Sequence, residues 1–338
     1  YTAYDLEKLK QAGDRLFSIF KIPEDAVVVN AFPYAPHLAF WQTFYGIRSK
    51  NIRALQTGGG KILGTERILD ALENMQATVL AAMPGYAYHL ISKAVEGKRN
   101  FENLKYVIFG GERIPQGLRK KIKSLLQKVN CKDPIIIGTY AFTEGKVAWG
   151  ECCEGSGYHL YPDTEYIEIV DEKGRQLPPG DRGEVVYTGL DFRGSVLIRY
   201  KTGDISSIHT EKCKHCGSTV PRIDANIERS SDIKKIKGNL VNLNELHKTM
   251  AEHKDINEWQ LEIGKKNDDP YEMDEVTLFI NPIKDANTDA LQKLILHHFH
   301  NQWELTPKIQ ILKKEELIKK LGMETELKEK RIVDKRPK

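Results

Sequence analysis

The stretch YVIFGGERIPQGLRKKIKSLLQKVNCKDPIIIGTYAFTEG, Tyr106–Gly145, decides the fold. YVIFGG and PIIIGTYAF are apolar runs of strand length, without polar alternation, as strands buried on both faces read. PQGLRKKIKSLLQ between them carries its apolar residues at helical spacing. Strand, helix and strand in that order predict part of a parallel sheet covered by helices. Ligands of such sheets gather beyond the carboxyl ends of the strands. Two segments therefore become candidate site: FGGER (Phe109–Arg113) and TYAFTEG (Thr139–Gly145).

The same alternation runs back to the start of the chain. Asp5 to Ile19 reads as an amphipathic helix, AVVVNAF (Ala26–Phe32) and NIRALQT as strands, and TERILDALENM as a helix with Thr65 as its N-cap. ATVLAAM is a further strand and GYAYHLISKAVE a further helix. The fold class is thus α/β, a doubly wound and largely parallel sheet, over residues 1–150. After Glu151 the texture changes to short alternating strands broken by Gly and Pro, a β-rich subdomain over residues 151–229. From residue 230 to 338 a β-α-β-β-α-β order predicts a small α+β domain.

Bulk properties exclude several classes. The 338 residues are 40% hydrophobic and 29% charged, as in globular proteins. The net charge of +4 comes without a basic block in the main body, which disfavours nucleic acid. LKEKRIVDKRPK at the end reads as a solvated tail. No apolar run approaches membrane-spanning length, so no membrane partner is expected, and no signal peptide is visible. Residue 1 is Tyr rather than Met, so the native start is expected upstream. Five cysteines, two of them in a CxxC, fit metal or free thiols in a reducing compartment such as the cytoplasm.

Four constellations carry chemistry. In TYAFTEG, Thr143 can donate to a phosphate oxygen, Glu144 can hold Mg²⁺, and Tyr140 can stack on a base. In IRYKTGDI, Asp204 can accept hydrogen bonds from two vicinal hydroxyls, although TGD is also ordinary turn chemistry. Cys213 and Cys216 (CKHC) form half of a zinc site, and Cys152 with His159 is the natural second half. Three thiols and one imidazole suit a tetrahedral structural Zn²⁺; Cys153 and His215 stand as substitutes, and Cys131 as an ordinary thiol. HHFH (His297–His300) offers two histidines on one helix face but no third ligand. A fifth stretch, LQTGGGKILGTERIL (Leu55–Leu69), looks like a phosphate cradle and is not spelled as one: Leu55 and Ile62 stand where a Walker loop needs Gly and Ser or Thr. It reads as a strand-to-helix turn.

Taken in order, Gly-Gly-Glu, Tyr-x-x-Thr-Glu, Glu-Cys, Thr-Gly-Asp, Cys-x-x-Cys-Gly, Pro-Arg-Ile and Arg-x-x-Asp resemble the phenylacetate–CoA ligase-like branch of the adenylate-forming enzymes, over essentially the whole chain. The resemblance implies activation of a carboxylic acid by ATP and Mg²⁺, an acyl-adenylate, and transfer to the thiol of coenzyme A. It places Gly111 and Glu112 near the adenine, Tyr140 against it, Thr143 at the α-phosphate, Glu144 on Mg²⁺, Asp204 on the ribose and Arg229 beside that site. It implies Zn²⁺ on Cys152, His159, Cys213 and Cys216, and a C-terminal lid domain whose Lys328 swings in for adenylation. Ala141 and Glu228 replace family glycines, Ser231 a hinge Asp, and Leu327 the Gly before the lysine, which leaves Lys330 as a substitute. The TGGG loop would lie beside the acyl pocket, and the family's phosphate loop upstream of Tyr1. Phe32, Tyr34, Phe40, Trp41 and Phe44 line either that pocket or a helix packed on the sheet. Two other readings stay open: a non-catalytic protein on a decayed ligase scaffold, and a ligase whose acceptor is a protein thiol or a flavin cofactor. A homodimer is left open beside a monomer.

Overall fold

The computed structural model describes residues 1–34, 38–112, 114–229, 232–269, 272–326 and 329–336. The chain divides into two compact units, Tyr1–Ile114 with Arg119–Ser230, and Ser231–Lys338 with Pro115–Leu118.

The first unit begins with α1 (Ala3–Phe20), β1 (Val27–Asn30), α2 (Leu38–Ser49), β2 (Arg53–Gln56), the single turn α3 (Gly60–Leu63), α4 (Thr65–Asn74) and β3 (Val79–Ala82). It continues through α5 (Pro84–Glu96), β4 (Tyr106–Phe109), α6 (Gln116–Gln127) and β5 (Ile135–Ala141). The strands β2-β1-β3-β4-β5 pair in parallel, as the opening stretch requires. Val28, Val79, Ala81, Ile108 and Ile137 pack under α1 and α2 with Leu16, Phe17, Phe20 and Ile47. Their neighbours Val29, Leu80, Val107 and Phe109 point the other way and are equally buried, so both faces are covered. Each such side chain contributes about 1.5–3 kcal/mol by leaving water. The helix α1 starts in a capping box: Thr2 accepts from the Asp5 N–H, and Asp5 accepts from the Thr2 N–H.

Beyond β5 the sheet turns antiparallel. The strands β6 (Ala148–Gly150), β7 (Tyr158–His159), β11 (Ile208–His209) and β12 (Arg222–Ile223) extend it to nine, in the order β11-β12-β7-β6-β5-β4-β3-β1-β2. Chain between them forms β8 (Glu165–Val170), β9 (Gly183–Gly189) and β10 (Tyr200–Ser206), which pair with β13 (Glu228–Arg229) in a second, antiparallel sheet. Residues 151–229 therefore do not stand apart. They supply one flank of the main sheet and belong to the same compact unit as the parallel strands.

In the second unit a hairpin, β14 (Ile233–Ile236) and β15 (Asn239–Asn242), turns at Lys237 and Gly238, both with positive φ. Then come α7 (Leu243–Glu252), β16 (Ile256–Lys265), β17 (Asp274–Pro282), α8 (Thr288–Trp303), β18 (Lys308–Ile311), α9 (Lys314–Leu321) and β19 (Ile332–Asp334). The sheet runs β18-β17-β16-β19 over a core that includes Leu246, Leu261, Leu278, Ile295 and Phe299. The basic end is not a solvated tail. Ile332–Asp334 pairs in parallel with β16, and Arg331 is buried against Glu258 and Glu329. A three-residue edge strand flanked by charges carries too little apolar periodicity to be read from sequence. No described helix is long and apolar enough to cross a membrane.

Candidate functional site

The carboxyl ends of β4 and β5 lie side by side, paired from Tyr106↔Ile135 to Phe109↔Gly138. The Thr139 hydroxyl donates to the Phe109 carbonyl at 2.8 Å and locks the two ends together. Gly111, exposed and at φ 79°, turns the chain off β4. Glu112 follows and accepts from the Gly85 N–H at the start of α5, 3.5 Å away. Arg113 lies outside the described residues. Past β5, Thr143 and Glu144 stand exposed on a single 3₁₀ turn, Thr143–Gly145. Burial, then the Glu144 charge, push the Tyr200 phenol up.

The second sheet brings Asp204 to the same place. Its side chain is 5% exposed, with Oδ2 accepting from the Tyr140 hydroxyl at 2.8 Å and Oδ1 from Arg229 Nε at 3.0 Å. The Asp204–Arg229 pair is also a backbone pair between β10 and β13. Each carboxylate oxygen has two acceptor positions, so one on each remains for a vicinal diol. Tyr140 is not an open platform: its ring stacks on Trp149 at 5.4 Å and is almost wholly buried. Burial, then the Asp204 charge, raise its phenol well above the usual value, so it remains a donor.

Cys152, His159, Cys213 and Cys216 converge, with all four ligand atoms within 4.8 Å of one another. Among the described residues they form the metal-capable cluster of three or more such groups. The Cys152 and Cys213 sulfurs are 3.8 Å apart, and Cys216 Sγ is 3.7 Å from His159 Nε2. A disulfide would need about 2.05 Å. A tetrahedral Zn²⁺ with Zn–S near 2.3 Å and Zn–N near 2.05 Å has edges of about 3.8 and 3.6 Å. The donor set and its spacing therefore fit the metal. Burial, then the Arg222 guanidinium, lower His159 to about 4, which keeps the imidazole in its neutral, ligating form. At Cys213 burial is outweighed by the backbone N–H groups of Cys216 and His215, and the thiol is lowered, toward the thiolate a metal needs. Cys153 and His215 are not in the cluster. Cys131 is a buried thiol that donates to the Leu104 carbonyl at 2.8 Å. In HHFH the outward His297 meets Asn301, and His298 meets His253 at 3.3 Å; no three-ligand set forms there.

The TGGG loop ends β2 as a turn. Gly58 and Gly60 leave room for the Tyr34 and Tyr86 rings, which a Cβ would meet at 2.2 and 2.6 Å. Thr65 is the first residue of α4, not its cap; Gly64 holds the cap position, and the Thr65 hydroxyl turns to the Tyr86 hydroxyl at 3.3 Å. Of the aromatic run, Phe40 is core, stacked edge-on with Tyr34 and Trp41, while Trp41 is 44% exposed. Leu327, Lys328 and Ser231 lie outside the described residues. Lys330 is described: its ammonium pairs with Glu326 at 2.9 Å and is half exposed.

Four supports of this site were given no role by the sequence. Trp149 backs Tyr140, and Glu165 accepts from the Trp149 indole N–H. Glu151, fully buried, pairs with Arg119 at 2.8 Å. Glu151, which follows β6, was marked only by the Glu-Cys pair of the resemblance. Nothing local marked Arg119.

The chain is 26% identical over 242 residues to a phenylacetate–coenzyme A ligase of Thermus thermophilus, covering 70% of this chain and 53% of the relative. It is 24% identical over 311 residues to the phenylacetate–coenzyme A ligase of Aromatoleum evansii, covering 87% and 65%. It spans about half the length of the first of these curated relatives. A 2-hydroxyisobutyryl-CoA ligase, solved in its postadenylation state with 2-HIB-AMP, superposes with a TM-score of 0.83 at 22% identity, over 98% of this chain and 70% of that one. That likeness shows the fold to be that of adenylate-forming ligases. The family model for AMP-binding enzymes matches residues 9–192, more than half of the chain, and the chain belongs to that family.

Proposed function

We propose that the protein activates a carboxylic acid, aryl or acyl, with ATP to an acyl-adenylate and passes the acyl group to the thiol of coenzyme A. The observation that carries this reading is Asp204, a buried carboxylate held by Tyr140 and Arg229 with one free acceptor position on each oxygen, beside two strand ends. Such a group suits a ribose diol. Gly111 and Glu112 border the adenine, and Thr143 meets the α-phosphate. Glu144, one exposed carboxylate, suits Mg²⁺ shared with substrate phosphates. Lys328 neutralises charge developing between the carboxylate and the α-phosphate. Cys152, His159, Cys213 and Cys216 hold a structural Zn²⁺, since four protein ligands leave no open position. The unit after Ser231 acts as the mobile partner of the first.

Pyrophosphate release across a panel of aryl and fatty acids tests the reaction, and thioester formation with coenzyme A tests the acceptor. Calorimetry tests the site directly. Asp204→Ala removes a charged acceptor from two hydroxyls and should weaken AMP about 10- to 100-fold. Unchanged AMP affinity would refute the role of Asp204. Metal analysis of protein purified without chelator should find one zinc per chain.

A further inference from the structure

Glu151 occupies the junction between the two sites. It lies next in sequence to the ligand Cys152 and is 0% exposed. Its Oε2 accepts from the Gly138 N–H at 2.7 Å and from Arg119 at 2.8 Å, and its Oε1 from the Gly155 N–H at 2.9 Å. Gly155 lies in the loop between Cys152 and His159. Gly138 is the last β5 residue paired with β4, and Thr139 the first paired with β6. The sheet changes from parallel to antiparallel at that point. Both backbone groups of Gly138 are taken by Glu151, the N–H by its side chain and the carbonyl by its own N–H at 3.1 Å. A Cβ at Gly138 would meet Glu151 Oε2 at 2.7 Å, so only glycine admits this approach. Two residues on is Tyr140, the partner of Asp204; five on is Thr143. On the far side, the Arg119 guanidinium also donates to the Ile136 carbonyl at 3.1 Å. One carboxylate thus holds the metal loop and the strand that ends in the nucleotide site through direct hydrogen bonds.

We infer that Glu151 is a positioning residue that couples the metal centre to the nucleotide site, so that each ligand tightens the other. Ordering the loop from Cys152 to His159 fixes Gly155, and Gly155 fixes the carboxylate. The carboxylate in turn sets the end of β5. The inference rests on the nucleotide and zinc readings above. Coupling free energies of this kind are worth about 5- to 150-fold in affinity and are reciprocal.

The test is zinc affinity by chelator competition, with and without saturating AMP, in the wild-type chain and in Glu151→Gln. The Gln amide cannot accept on both arms, so one backbone N–H loses its partner while the shape is kept. AMP is expected to tighten zinc about tenfold in the wild type and less than twofold in Glu151→Gln. A purely structural Glu151 would give a variant of lower melting temperature in which AMP still tightens zinc as in the wild type, and that result overturns the inference. So does a wild-type zinc affinity indifferent to AMP that binds. Wild-type protein that binds no AMP at all overturns the nucleotide reading as well. If Glu151→Gln does not fold, the wild-type measurement decides the coupling, and Glu151→Asp, which keeps the charge but is one methylene too short to hold both N–H groups, replaces the variant.

Discussion

Each unit buries an arginine–glutamate pair, and the two are built in opposite senses. In the first unit the acid is the hub: Glu151 collects two backbone N–H groups and Arg119. In the second the base is the hub: Arg331 forms an ion pair with Glu258 at 2.8 Å and donates to Glu329 at 2.6 Å and to the Trp259 carbonyl at 3.2 Å. Burying charges costs several kcal/mol per ion unless the geometry returns it, so both pairs must do more than attract. The acid hub sits where a strand ladder changes sense and leaves an N–H without a strand partner. The base hub sits where a short last strand joins an existing sheet and carbonyls need donors. The sign of the hub follows the kind of backbone group the local topology leaves over.

The comparison breaks most visibly by deleting one charge from each pair. Arg119→Met and Arg331→Met each strand a buried carboxylate and should cost about 3–5 kcal/mol. Urea unfolding followed at Trp149 in the first unit, and at Trp259 and Trp303 in the second, separates the two. Arg119→Met should also hasten zinc release, and Arg331→Met should leave it unchanged. Equal zinc loss in both variants would mean that the hubs are not local to their units.

The segment that ends at the second hub carries the next largest effect. Lys328→Ala should slow pyrophosphate release about 10²- to 10³-fold or more, while thioester formation from supplied acyl-adenylate survives. Lys330→Ala, which removes a half-exposed ion pair with Glu326, should change stability by about 0–1 kcal/mol and leave both half-reactions intact. A selective adenylation defect in Lys330→Ala would move the catalytic position by two residues.

A third buried acid sharpens the contrast, because Glu165 has no arginine partner in contact. Its Oε1 accepts from the Trp149 indole and the Tyr161 N–H, and its buried Oε2 has no partner among the described residues. Burial pushes its carboxyl up to about 8, from the usual 4.5 of a free glutamate. Between those values the folded chain holds a proton that the unfolded chain has lost. Folding stability should therefore fall as pH rises from about 4.5 to 8, by on the order of a few kcal/mol. Glu165→Gln should flatten that slope and be the more stable form at pH 8.5. Chemical denaturation at pH 5.5 and 8.5 checks the sign.

The opening stretch was legible because β4 and residues 136–138 of β5 are buried and carry only apolar or aromatic residues. The convergence of Cys152, His159, Cys213 and Cys216 was legible because thiols at close spacing have few other uses. Asp204 was legible as a turn or a diol acceptor, while its burial against Tyr140 and Arg229 was not. The three residues of β19, in contrast, gain their strand geometry from β16, not from their own composition. Arg119 could not be placed: its sequence neighbours are those of a surface helix, and its partner lies 32 residues on. The change of texture at residue 151 falls inside one compact unit. The change of texture there marks a change of strand direction within one sheet, since antiparallel strands alternate where parallel ones do not.

The clustered Cys152, His159, Cys213 and Cys216 also bracket the chain. Cys152 and Cys213 stand 61 residues apart, and the whole of β8, β9 and β10 lies between them. A metal on those sulfurs closes a loop of that length, at an entropic cost of about 3.6 kcal/mol beyond a fixed constant. The ion then acts as a clasp on an inserted sheet. It shortens the list of conformations open to the unfolded chain, and it leaves the strand that carries Asp204 tethered at the neck of its own loop.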